Sequence, residues 1–229
     1  MSVTTQLQPR TPLSRERVLR AAVEIADAEG AEALTMRRLA KALGAEAMSL
    51  YHYVANKEDL LDGVVELIAS EINDAVDQLG VPSAGAAWKQ ATRLRILTAR
   101  TIFLRHPWAP HVFETRKTVS LAVVRYHDRL VGLMRDGGFS YDLAHHALHA
   151  LGSRALGFSQ ELFDPGDGAA AGSVPAELAE QVPHLVGMLT EVAHDDPDST
   201  LGWCDDQFEF EFGLDLILDG LDRLRTAAR

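Results

Sequence analysis

The sequence predicts an all-α protein, with an N-terminal three-helix helix-turn-helix domain joined to a larger helical domain. Three observations lead there. Apolar residues recur at helical spacing over nearly the whole chain. Ser14, Thr35 and Asn56 stand where capping side chains open helices, and Gly30 and Gly44 where glycines end them. There is no convincing strand and no internal repeat.

From the Ser14 cap, Val18, Ala22, Ile25 and Ala26 line one face of a first helix up to Gly30. Thr35 opens a short second helix, with Leu39, Ala40 and Leu43 inward and Gly44 as its stop. A third helix is predicted over 46–54. Asn56 then caps a fourth, with Asp59 three residues on as half of a capping box. It continues through Leu60, Leu61, Val64, Val65, Ile68 and Ile72 to about Leu79.

"GVPSAG" at 80–85 reads as a linker. The expected domains are therefore 14–79 for the helix-turn-helix with its connecting helix, and 86–226 for the rest. Further helices are predicted at 86–105, 117–136, 141–162, 176–193 and 205–226. "RHPWAPH", "DPGDGAAAGSVP" and "HDDPDST" separate them, the first as a break with two prolines. Within the last helix "FEFEF" alternates like a strand. The wider window does not, because Phe208, Phe212 and Leu216 lie four apart, as do Phe210, Leu214 and Leu218. An apolar surface that wide asks for two buried faces, one of them against a partner chain.

Composition narrows the function. Apolar residues make up 47% of the 229, ordinary for a packed core, and a single cysteine excludes an intrachain disulfide or a cysteine-cluster zinc site. Residues 1–13 lack an apolar core like that of a signal peptide, and no run reaches membrane-spanning length. A cytoplasmic protein without a membrane partner is the expectation.

The formal net charge of −11 by itself argues against nucleic acid, but the distribution of that charge argues for it. Residues 1–60 carry eight basic and eight acidic side chains, and all the excess acid lies beyond them. Arg10, Arg15, Arg17, Arg20, Arg37, Arg38, Lys41 and Lys57 supply the basic groups. Because screening limits Coulomb reach to about 8 Å at physiological salt, a local basic face suffices.

"TMRRLAKALGAEAMSLYHYV" at 35–54 has the grammar of a helix-turn-helix. Ala40 is small enough for a close helix crossing, Gly44 can take the left-handed turn, and Leu50 fills the corner. The exposed face then carries Ala47, Met48, Ser49, Tyr51 and His52, which suit a major groove. Lys57 and the opening N–H groups of the fourth helix suit a phosphate. The other reading of Tyr51, His52 and Tyr53 is a corner core, and on sequence alone both stand.

"LTMRRLAKALGAEAMSLYHYVANKEDLLDGVV" resembles the DNA-binding domain of the TetR family. "FEFGLDLILDGLDRL" is similar to the last helix of the tetracycline-repressor-type C-terminal domain, so the resemblance spans about 14–226. It implies a homodimeric repressor that binds palindromic operator DNA and is released by a small-molecule effector. The implied DNA contacts are Thr35, Arg37, Ala47, Met48, Ser49, Tyr51, Tyr53 and Lys57. His52 and Tyr53 fall where the founding repressors read Trp-His, so a different base preference follows. The implied dimer interface is a four-helix bundle from 141–162 and 205–226, here with Leu151, Phe208, Phe212, Leu216 and Leu221.

The positions matching the founding repressors' two magnesium–tetracycline histidines are, by ungapped counting, Asn73 and Phe113, so that chelate site is not carried over. Phe103, Trp108, Phe113, His127, Met134, His145 and His149 are candidates for lining an effector pocket. Such a lining suits an apolar or aromatic molecule. Each of the seven could equally be a core residue. His145 and His149 have metal-capable spacing but no evident third ligand, so neither metal nor cofactor is expected. An enzyme is the second hypothesis. Against it, the chain has no phosphate-binding glycine loop and no nucleophile elbow. A helical partner-binding module is the third.

Overall fold

A computed structural model describes residues 12–80, 85–118, 120–157, 180–184, 186–187 and 206–227. The chain forms two compact units, Met1–Ala144 and His145–Arg229. Among the described residues there is no strand.

In the first unit, α1 (Arg15–Glu29) opens on Ser14, whose hydroxyl accepts from the Arg17 N–H, and buries Val18, Ala22, Ile25 and Ala26. Helix α2 (Met36–Leu43) opens on Thr35, which accepts from the Arg38 N–H, and ends at Gly44 in the left-handed conformation, φ 61° and ψ 37°. A side chain other than glycine would resist that backbone. Helix α4 (Lys57–Gln78) follows α3 (Ala47–Leu50) and opens on Asn56, which accepts from the Asp59 N–H. Asp59 returns a bond to the N–H of Ala55 at 2.7 Å, one residue earlier than a capping box requires.

The predicted third helix is too long. α-Helical geometry covers only Ala47–Leu50, and Tyr51–Tyr53 form a turn. His52 and Tyr53 donate to carbonyls three residues back, at 3.4 and 2.9 Å, so the last turn tightens. Consecutive aromatic side chains have little preference for continuing a helix.

Beyond residue 85, α5 (Trp88–Arg105) and α7 (Leu121–Asp136) pack on α4 and on each other. Between them lies α6 (Ala109–Thr115), which corrects the expected break through this stretch. Pro110 is tolerated because it sits in the first turn, where its missing N–H has no partner to lose. The next helix starts at 121 rather than 117, because Ser120 caps it by accepting from the Val123 N–H. Core residues of the first unit come from both sides of the predicted linker, from Val18 and Leu60 to Ile102 and Val112.

Helix α8 (Tyr141–Gly157) runs into the second unit, which also holds α9 (Asp206–Ala227). "FEFEF" is helical, as the four-residue spacing requires. The predicted helix at 176–193 and the end of that at 141–162 lie mostly outside the described residues.

Candidate nucleic-acid interface and effector region

The segment after α3 is clamped from two sides by one ion pair. Arg15 at the start of α1 donates to Asp59 on α4, at 2.8 Å to Oδ1 and 3.2 Å to Oδ2, and to the Tyr53 carbonyl at 2.6 Å. Asp59 also holds the Ala55 N–H. A planar guanidinium suits this arrangement, since its N–H groups lie in a fixed fork. The Arg15 hydrogen bonds hold the Asp59 carboxyl below the usual carboxylate range. A second pair, Arg38–Glu29, ties α2 to the end of α1 and lowers the Glu29 carboxyl in the same way. Arg38 thereby belongs to the scaffold, while Arg37 beside it is exposed.

This scaffold sorts the three aromatics. Leu50 is fully buried and Tyr53 is half-buried against the same core. Tyr51 stays 45% exposed, and His52 is exposed beside it. Met48 is 76% exposed, an unusual setting for a large apolar side chain unless something covers it. Ala47 is half-buried and packs inward. The Ser49 hydroxyl donates to the Glu46 carbonyl at 2.7 Å, so outward it offers a lone pair. Thr35 is exposed with its oxygen occupied by the cap, and Lys57 is exposed at the first position of α4. A helix that starts there presents free N–H groups toward an anion.

The candidate effector residues of the first unit have different surroundings. Phe103 and Phe113 meet edge to face at 5.3 Å and pack on the first unit's core. Met134 is fully buried. His127 is exposed and bonded through Nδ1 to its own helix at the Val123 carbonyl. His145 and His149 are exposed, with rings 4.7 Å apart. Among the described residues no group of three or more His, Cys, Asp or Glu is arranged to hold a metal.

Trp108 is the clearest departure. Its indole N–H donates to Asp27 Oδ1 on α1 at 2.7 Å, which ties its polar edge to the helix-turn-helix domain. His106 Nδ1 meets the same oxygen at 2.7 Å. An ionised carboxylate only accepts, so His106 carries its proton on that nitrogen. Arg105 reaches Glu71 on α4 at 2.6 Å. The loop between α5 and α6 thus docks on α1 and α4 together. The prolines of "RHPWAPH" mark a break between helices, but the sequence holds no signal for Asp27, which lies 79 residues from His106.

In the second unit, α9 carries two apolar faces. Phe210, Leu214, Leu218 and Leu221 are buried, while Phe208, Phe212 and Leu216 are exposed. Leu221, like Leu151 on α8, is buried within its own chain. Among the described residues no helix is long and apolar enough to cross a membrane.

Comparison with known proteins agrees with this geometry. Residues 18–64 match the family described as bacterial regulatory proteins, tetR family, and 81–225 match the tetracyclin repressor-like C-terminal domain. The HTH-type transcriptional repressor DrrR1 of Streptomyces coeruleorubidus is 32% identical over 227 residues, covering 96% of this chain and 82% of that protein. The crystal structure of apo ActR from Streptomyces coelicolor has a TM-score of 0.72 at 27% identity, over 96% of this chain and 99% of that one. ActR in complex with actinorhodin gives 0.70 at 28%, over 94% and 99%. The chain belongs to the TetR family of bacterial transcriptional regulators.

Proposed function

We propose that this chain is a ligand-responsive transcriptional repressor that binds a palindromic operator as a homodimer and is released by a small molecule. The carrying observation is the exposed Met48 and Tyr51 at the tip of a turn held rigidly by Arg15 and Asp59. Met48 with the exposed rim of Ala47 meets thymine methyls, Tyr51 and His52 meet base edges or phosphates, and the Ser49 lone pair accepts from a base-edge amino group. Thr35, Arg37, Lys57 and the edge of Tyr53 hold the backbone. Residues 14–79 form the reading module and 86–226 the effector and dimerisation module. Phe208, Phe212 and Leu216 form the partner-facing stripe of a helical bundle.

The effector reading is supported by the likeness to ActR, whose structure holds actinorhodin. An apolar or aromatic effector suits the Phe103–Phe113 pair and Met134. Release requires the effector to bind better to a dimer whose reading turns no longer match successive major grooves, roughly 34 Å apart. The α5–α6 loop provides the mechanical link, since Trp108 and His106 hold Asp27 on the helix that carries Arg15. The protein acts by binding in the cytoplasm and not by turnover.

Selection of the full-length protein against random duplex DNA tests this reading. An enriched palindrome is the expected result. No enrichment, with or without cell extract as a source of co-ligand, would overturn it.

A further inference from the structure

The seam where α4, α5 and α7 meet contains polar atoms that the fold leaves unanswered. Asn73 on α4 uses its amide N–H groups on the Ala69 and Ala122 carbonyls, both at 2.9 Å. Its Oδ1 is buried without a partner, as are Thr92 Oγ1 and the Nε and Nη1 of Arg95 on α5. Thr92 is completely buried, and Arg95 lies one turn further along the same helix. Across the seam on α7, the Tyr126 hydroxyl gives Arg95 only a long contact, 3.4 Å to its carbonyl. Arg129, also on α7, takes Asp77 of α4 for itself, with both carboxylate oxygens within 2.9 Å.

Unpaired buried donors are costly, and folded proteins keep few of them. A water molecule could satisfy a hydroxyl here but would leave the charge of Arg95 unmatched. An anionic oxygen answers both defects at once, accepting from Arg95 and Thr92 and supplying the missing negative charge. We propose that this seam is a binding site for a carboxylate, phenolate or sulfonate group, with Arg95 as its receiving cation and Thr92 and Tyr126 beside it. An acidic aromatic molecule is then the effector class. That last step rests on the proposed effector-responsive function, whereas the anion site stands on geometry.

The test uses the full-length protein and two fluorescent probes, 8-anilinonaphthalene-1-sulfonate and the neutral N-phenyl-1-naphthylamine. The sulfonate should bind about tenfold more tightly than the neutral probe, and Arg95→Met should bring the two to parity. Without probe, Arg95→Met should melt at the wild-type temperature or above, because it removes two buried N–H groups that no partner satisfies. A preserved sulfonate preference in Arg95→Met, or a large fall in its melting temperature, would overturn the site. Should that variant fail to fold, Thr92→Val decides. It should weaken the sulfonate severalfold and leave the neutral probe unchanged, and equal binding of both probes overturns the site. A selected operator duplex added to the titration separates the two claims. Binding through Arg95 without operator release supports the anion site and removes the effector reading. Release by the neutral probe alone does the reverse.

Discussion

Arg15 and Asp59, 44 residues apart in sequence, form a two-pronged ion pair that also grips the backbone of the turn between them at Tyr53 and Ala55. The pair makes the reading segment a rigid part of the three-helix domain, not a loose end of α3. Because Asp59 remains about one third exposed, solvent screening limits the pair's contribution. A double-mutant cycle with Arg15→Ala and Asp59→Ala should give a coupling of about 0.5–1 kcal/mol.

The same pair sets a pH dependence. Asp59 is lowered on folding, so its stabilisation is present above the unfolded carboxyl pKa and lost as pH falls through the folded value. Melting temperatures of wild type and Asp59→Asn should differ at neutral pH and converge below about pH 4. A gap that stays constant into acid would show that Asp59 is not the group responsible.

Lys57 is expected to act on every DNA sequence alike. Lys57→Ala should weaken binding to specific and random duplexes by similar factors and flatten the plot of log affinity against log salt by about one unit. An unchanged slope removes Lys57 from the phosphate contacts.

Asp27 accepts from both His106 and Trp108. Asp27→Ala strands a buried ring nitrogen and an indole N–H, so thermal stability should fall by about 1–3 kcal/mol. If this contact links effector and operator sites, Trp108→Phe should also remove most of the tryptophan emission change on operator binding. An undiminished emission change would place the linkage elsewhere.

Packing at the α7–α8 corner is tight. A Cβ at Gly137 would lie 2.7 Å from both Cβ and Cγ of Trp88, which is buried and set edge to face against Phe139 at 4.5 Å. Those atoms lie close to the backbone and cannot swing away. Gly137→Ala should therefore cost about 2–3 kcal/mol in a denaturant melt, despite removing a flexible glycine.

What is legible in the sequence follows from local chemistry. Ser14, Thr35, Asn56 and Gly44 each cap or close a helix where their residue types require it. The core faces of α1, α2 and α4 follow from spacing alone. Distant pairings are not legible that way. Nothing at Asp27 signals His106, and nothing at Arg15 signals Asp59, because ion pairs across a fold leave no periodic trace. The end of α3 is less local: the aromatic run disfavours continuing the helix, and Arg15 holds the Tyr53 carbonyl in the tightened turn that follows. Residue type suggests the effector candidates, but type alone does not place Trp108 against α1 or Arg95 in a seam.

The central claim is that the outward side chains of this turn read DNA. Tyr51→Ala tests it most directly, with operator affinity and thermal stability measured on the same preparation. Affinity should fall roughly ten- to a hundredfold, the loss of about 1–3 kcal/mol typical of a base-reading contact, with the melting temperature nearly unchanged. Undiminished affinity, or a fall in melting temperature of the size that core truncation brings, would show that Tyr51 belongs to the corner of the fold and not to the interface.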